Sequence, residues 1–265
     1  MNPRPTDLQS AVLPTELSRD VLWTSILTFS FYILLFRYNM NIVYIWWFIL
    51  CLNALWTMFI VYSQNYDIYA RIFVTACGIR AIWPRQYVDR ICLFPTWISY
   101  PFVGRCLATV GEIAFAYQLS LVTKQPLILW LGIVAQFVCW AGIITTNYNF
   151  HAYEEILWLM IGTICAVSSN TLVAIIAFVY VLFMYFVDIP MYHNRHVEDT
   201  VSEKSYFSLG GFSWDGIKDT LTCKFDNTYN VWKSEMLWML GYFIVGTRIS
   251  MYLSKKKYNS KAIHL

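Results

Sequence analysis

Glu112 sits within an apolar run, and Arg105 precedes it by seven residues. In an α-helix that spacing puts both side chains on nearly the same face, about two turns apart. An ionisable group at the centre of a bilayer costs at least roughly 2.5–3.5 kcal/mol, so such a residue must face protein or water. A carboxylate held there can titrate, coordinate an ion or grip a cation. Its structural alternatives are a buried ion pair and a protonated, hydrogen-bonding acid. A second cluster, His151, Glu154, Glu155 and Trp158, opens another apolar run. Spacings of three and four residues bring these groups to one broad helical face. His151 and Glu155 with Glu112 are therefore the candidate acid–base groups. Glu154 and Glu155 equally suit a helix N-terminus capped by Asn149. Arg105 and Arg248 have the fork geometry to grip a phosphate or carboxylate. Arg248 also suits a snorkelling anchor near the tail. The expected arrangement brings Arg105, Glu112, His151, Glu154, Glu155 and Arg248 together in the cytoplasmic half of a bundle. Tyr117 and Gln118 would continue the polar path outward.

Metal chemistry finds little footing. His193 and His196 make an H-x-x-H spacing beside Asp188, Glu198 and Asp199. Such a set can hold a metal, but it reads first as a solvated loop, and no metal site is expected. The four histidines are too few for the histidine boxes of a membrane desaturase or for two buried haems. None of the seven cysteines forms a C-x-x-C pair. Cys51, Cys106, Cys139 and Cys165 lie in apolar runs as small core residues. Cys223 is the only cysteine of the long polar loop, so no intramolecular bridge is expected on that side. No G-x-S-x-G elbow and no potassium-filter motif occurs.

The elements that must position these residues follow from composition. Of the 265 residues 58% are apolar and 13% charged, against roughly 25% charged in soluble domains. The solvent is therefore partly lipid. No basic run interleaved with aromatics is present, which argues against a nucleic-acid partner. A crossing helix needs about 20 apolar residues. The runs predict an all-α, polytopic transmembrane helical bundle of six crossings, at 21–37, 42–62, 101–122, 126–145, 156–187 and 231–253. The run 156–187 is long for one crossing, with Ser168, Ser169 and Asn170 in its middle; a kinked helix or two half-crossings are the alternatives to one long helix. An interfacial amphipathic helix is expected around 71–83, inside a proline-broken basic stretch, 63–100. Gly104, Ala108 and Gly111 have the small-residue spacing that lets a neighbouring helix approach closely.

Residues 1–20 read as a cytoplasmic N-terminal segment, 188–230 as a polar non-cytoplasmic loop and 254–265 as a basic cytoplasmic tail. The side carrying Lys255, Lys256 and Lys257 holds the larger share of Lys and Arg, which puts both termini in the cytoplasm. Three functions are compatible with this reading. The first is a small ion or proton channel or transporter working through Glu112. The second is a membrane-embedded enzyme or binding protein for a lipid drawn sideways from the cytoplasmic leaflet. The third is a structural or assembly protein that uses the polar loop. The bilayer itself and a lipid or small-ion ligand are the expected partners.

Overall fold

The structure, a computed structural model, describes residues 41–168, 171–201 and 214–262. The expected first crossing at 21–37 and the N-terminal segment 1–20 lie outside the described residues. The chain separates into two compact units, Met1–Ile49 and Leu50–Leu265. Of the first, only the opening turns of helix α1 (Ile42–Ser63) are described; the bundle and its site belong to the second.

The architecture is an all-α helical bundle. Helix α2 (Ile68–Ile82) starts at Asp67, whose carboxylate caps the helix by accepting from the Ala70 N–H at 2.8 Å. It packs along α3 (Pro101–Thr123), which opens with a proline at its first turn, where no N–H is needed. The expected interfacial helix at 71–83 is thus a bundle helix. It buries Phe73, Val74, Cys77 and Arg80 among others, because small residues let α3 come close. A methyl group at Gly111 would lie 2.8 Å from the Ala76 Cβ. Helix α3 ends at Lys124 in the left-handed conformation, and α4 (Leu127–Thr145) ends the same way at Thr146.

Helix α5 (Tyr148–Ala166) is capped by Asn147, which accepts from the Asn149 N–H at 2.9 Å; Asn149, the expected cap, is itself inside the helix. The run expected as one element over 156–187 is divided. Val167 leaves helical geometry, the Ser168 N–H bonds to the Cys165 carbonyl, and α6 (Thr171–Phe183) starts afresh. Gly162 then lies against Tyr180 and Val181, a contact possible only if α5 and α6 run back to back. Serine and asparagine are turn formers, and their three-residue run is the single local sign of this reversal.

Helix α6 passes into a π-helical segment, Met184–Asp188, and then into α7 (Ile189–Val201). Pro190 explains the widened turn: it has no N–H to donate and its ring would clash with a carbonyl one turn back. Residues 189–201, expected as the start of a loop, are therefore helical. After a short helix α8 (Trp214–Asp219), α9 (Tyr229–Leu240) continues through a second π-helical segment, Gly241–Gly246, into α10 (Thr247–Ala262).

One end of the bundle is closed by a small sheet. Strands β1 (Arg85–Gln86) and β2 (Ile91–Cys92) pair antiparallel, and β2 pairs in parallel with β3 (Lys224–Phe225). A Cys92–Cys223 disulfide reinforces it. This corrects two expectations. Cys223 does have an intramolecular partner. The stretches 63–100 and 188–230, assigned to opposite faces of the membrane, meet at one end. The reason is parity: the α5–α6 turn adds a reversal that a single 156–187 helix lacks, so an even number of passes separates β2 from β3. At the other end, the Asp67 N–H donates to Ser254 Oγ at 2.6 Å and Lys255 lies over the Tyr66 ring.

Five described helices are long and apolar enough to cross a membrane: Ile42–Ser63, Pro101–Thr123, Leu127–Thr145, Thr171–Glu198 and Tyr229–Lys255. On α4, Trp130, Val134 and Phe137 form an outward stripe, and Phe137 is 73% exposed. Such a stripe is stable facing acyl chains and costly facing water. The chain is a helical membrane protein.

Candidate functional site

The carboxylate of Glu112 sits at the centre of a buried polar network. Oε1 accepts from Arg80 Nη1 and from the Tyr242 hydroxyl, both at 3.2 Å. Oε2 accepts from Arg105 Nη2 and Gln136 Nε2, both at 2.9 Å. Arg105 also donates to the Gln136 side-chain carbonyl and faces Glu154 Oε1 at 3.5 Å. The opposite oxygen of Glu154 lies 3.0 Å from His151 Nδ1. Arg80 is walled by the rings of Tyr87, Tyr242 and Phe243 at 5.4–5.8 Å, a favourable setting for a desolvated cation. Among the described residues, Arg85 donates to backbone carbonyls alone: those of Trp83, Ile98 and Tyr100. Burial pulls the Arg85 guanidinium down from its ordinary value to about 10.

Arg80, Arg105, Glu112, His151, Glu154 and Tyr242 form one side of a cavity of about 640 Å³. Its remaining walls are apolar and aromatic, among them Phe115, Trp158, Ile161, Ala177, Tyr180, Trp238 and Ile249. Both π-helical segments contribute to the lining, Met184 and Asp188 from the first, Gly241, Tyr242, Val245 and Gly246 from the second. π-turns are rare and concentrate at functional sites. The cavity also has an outward side. Ile175 and Val179 on α6, and Leu237 and Val245 on the last helical rod, line it while remaining about half or more exposed. It therefore opens laterally, between two helical rods long and apolar enough to cross a membrane.

The structure brings Arg105, Glu112, His151, Glu154 and Glu155 to this cavity, whereas Arg248 is not part of its lining. Gln118 works elsewhere. It ties the far end of the bundle, donating to Asp67 Oδ1 at 3.1 Å and accepting from Ser250 Oγ at 2.5 Å. Arg80, Gln136, Cys139, Asp188, Tyr192 and Tyr242 belong to the site and are missed by sequence reasoning. Asp188 carries a signal, an acid at the end of an apolar run, but its sequence neighbours group it with His193 and His196. Those two histidines join no converging ligand set among the described residues. Cys139, His151 and Glu154 do converge, with donor atoms within 4.8 Å of one another. The donor types would suit zinc. Arg105, however, already engages the Glu154 carboxylate, and its positive charge faces the same space. The set reads as a histidine hydrogen-bonded to an arginine-paired carboxylate rather than a metal centre.

Two carboxylates stand apart from the network. Asp188 is 7% exposed and Glu155 is half-buried. Both line the cavity, and neither has a hydrogen-bond or ion-pair partner among the described residues. Nearby, Arg195 is committed to Glu235 at 2.9 Å and stacks over Tyr148 and Tyr192.

Comparison with protein-family models, with curated proteins and with solved structures found no match.

Proposed function

We propose that this chain is a membrane-embedded binding protein for an amphiphile that reaches its site sideways from the bilayer. The observation that carries the reading is the 640 Å³ cavity, apolar along most of its wall, charged on one side and open between α6 and the α9–α10 rod. Ligand sites of this size are mostly apolar with a few placed polar groups that fix orientation. The apolar body of the ligand lies along Ile161, Ala177 and Ile249, and its polar head meets the groups around Glu112, Glu155 and Asp188. The four donors on Glu112 favour an anchor that fixes the arginines over a residue that takes up and releases protons.

The disulfide supports an orientation for the site. Bridges persist in oxidising compartments, so the Cys92–Cys223 end faces away from the cytosol, and the Lys255–Lys257 tail faces the cytosol in line with the charge rule. His151 and Tyr192 lie toward the bridged end, through the Tyr148–Asp89 hydrogen bond. The ligand head is then drawn from the non-cytoplasmic leaflet.

The test is native mass spectrometry of the chain purified in mild detergent, comparing it with Ala177→Trp, which fills the cavity, and with Phe137→Trp on the lipid-facing stripe. A bound amphiphile retained by the native chain and Phe137→Trp, and lost from Ala177→Trp at unchanged helix content, supports the reading. Equal retention by all three, or none by any, overturns it.

A further inference from the structure

We infer that the head group recognised in the cavity is a cation, a protonated amine. This deepens the reading of the chain as an amphiphile-binding protein and rests on it. The argument is one of charge and hydrogen-bond supply within the cavity. Its ionisable lining comprises the guanidiniums of Arg80 and Arg105 and the carboxylates of Glu112, Glu154, Glu155 and Asp188, with His151. The two guanidiniums are consumed by Glu112 and Glu154, and His151 adds its ring nitrogen to Glu154. Asp188 and Glu155 remain, on facing helical elements, with no ion pair and no hydrogen-bond donor among the described residues; Arg195, near Asp188, is committed to Glu235, and Arg105 to Glu112 and Glu154.

A buried carboxylate without a partner is costly, and the cost falls when a ligand brings the missing donors. Anionic head groups are disfavoured by the same count, since both arginines are already engaged and the groups left over are acids. A bare metal ion fits poorly, because most of the remaining wall offers no oxygen ligands. An ammonium supplies both positive charge and several N–H donors, and the wall beside the two acids is aromatic, with Tyr180, Tyr192 and Trp158. Ring faces favour cations, most of all desolvated ones. Asp188 closes a π-helical segment that ends just before Pro190, so its position is set by a backbone feature the sequence imposes.

The experiment titrates the detergent-solubilised full chain with dodecylamine, dodecanol and dodecanoic acid, with binding read by native mass spectrometry. These probes share a tail and differ only in the head. The amine is expected to bind at least about tenfold more tightly than the alcohol, with the acid weakest. Asp188→Asn together with Glu155→Gln is expected to erase the amine's advantage over the alcohol, and an unchanged helix content and thermal midpoint show that the variant retains its fold. Each single substitution removes part of the advantage. Amine and alcohol binding equally to the native chain, or an amine preference that survives the double substitution, overturns the inference while leaving the cavity reading intact. Binding of none of the probes overturns both.

Discussion

Removing the Glu112 carboxylate should destabilise the bundle through stranded charge rather than lost volume. Glu112→Leu keeps a side chain of similar size but deprives Arg80 and Arg105 of their shared acceptor. Arg105 retains Glu154, at 3.5 Å; among the described residues Arg80 keeps only its aromatic walls. Breaking a buried pair by removing one partner typically costs about 3–5 kcal/mol, most of it from the unpaired charge left behind. At roughly 2–4 °C per kcal/mol for a domain of this size, thermal unfolding should fall by about 10 °C. The diagnostic comparison is the double substitution Glu112→Leu with Arg80→Met. It deletes more of the native structure, yet it removes the stranded guanidinium and should recover a large part of the loss. The assay is thermal unfolding in one fixed detergent, followed by circular dichroism. A single variant within about 1 kcal/mol of the native chain, well below the usual cost of a broken buried pair, would refute this account of the network. A double variant less stable than the single would refute it equally.

Gly111→Leu should lower stability by roughly 1–3 kcal/mol, the usual cost of overpacking, because its side chain must enter the space of Ala76; denaturation midpoints measure it, and a neutral result would mean α2 and α3 are not closely packed. Mass mapping of non-reduced peptides should recover Cys92 linked to Cys223, and replacing both by serine should cost about 2–4 kcal/mol; free thiols at both positions would contradict the closed end. In intact cells a membrane-impermeant maleimide should modify Asp226→Cys and spare Lys255→Cys, and the reverse pattern would invert the proposed orientation. Metal analysis of the purified chain should find less than one zinc per molecule, since Arg105 occupies the carboxylate of the Cys139–His151–Glu154 set; stoichiometric zinc lost on His151→Ala would show that the set is a metal centre after all.

Much of the helix layout is legible in the sequence because hydropathy reports burial in lipid directly. Helices α1, α3 and α4 fall within a few residues of their apolar runs. The pairing of Arg105 with Glu112 is legible too, since both lie on one helix at a spacing geometry fixes. The features that escape sequence reasoning need knowledge of neighbours or of reversals inside uniform sequence. Residues 156–187 are apolar almost throughout, so a hydropathy profile shows one element where the chain turns back at Val167 and Ser168. Without that turn the parity of every later segment changes, and Cys223 falls on the opposite side from Cys92. Arg80 looks like an interfacial charge because its acceptor lies on another helix, 32 residues away. Gln136 and Tyr242 carry no signal at all: an amide or a phenol in an apolar run is common, and only the fold shows that both donate to one carboxylate.

The central claim is that an amphiphile occupies the cavity, and the most direct measurement maps where one binds. A long-chain alkylamine with a photoactivatable diazirine in its chain, reconstituted with the protein in nanodiscs and cross-linked, should label the cavity wall at Ile176, Tyr180 and Ile249, with labelling lost in Ala177→Trp. Adducts confined to the outward stripe of Trp130, Val134 and Phe137, unchanged by that substitution, would show that lipid only surrounds the bundle and would contradict the account.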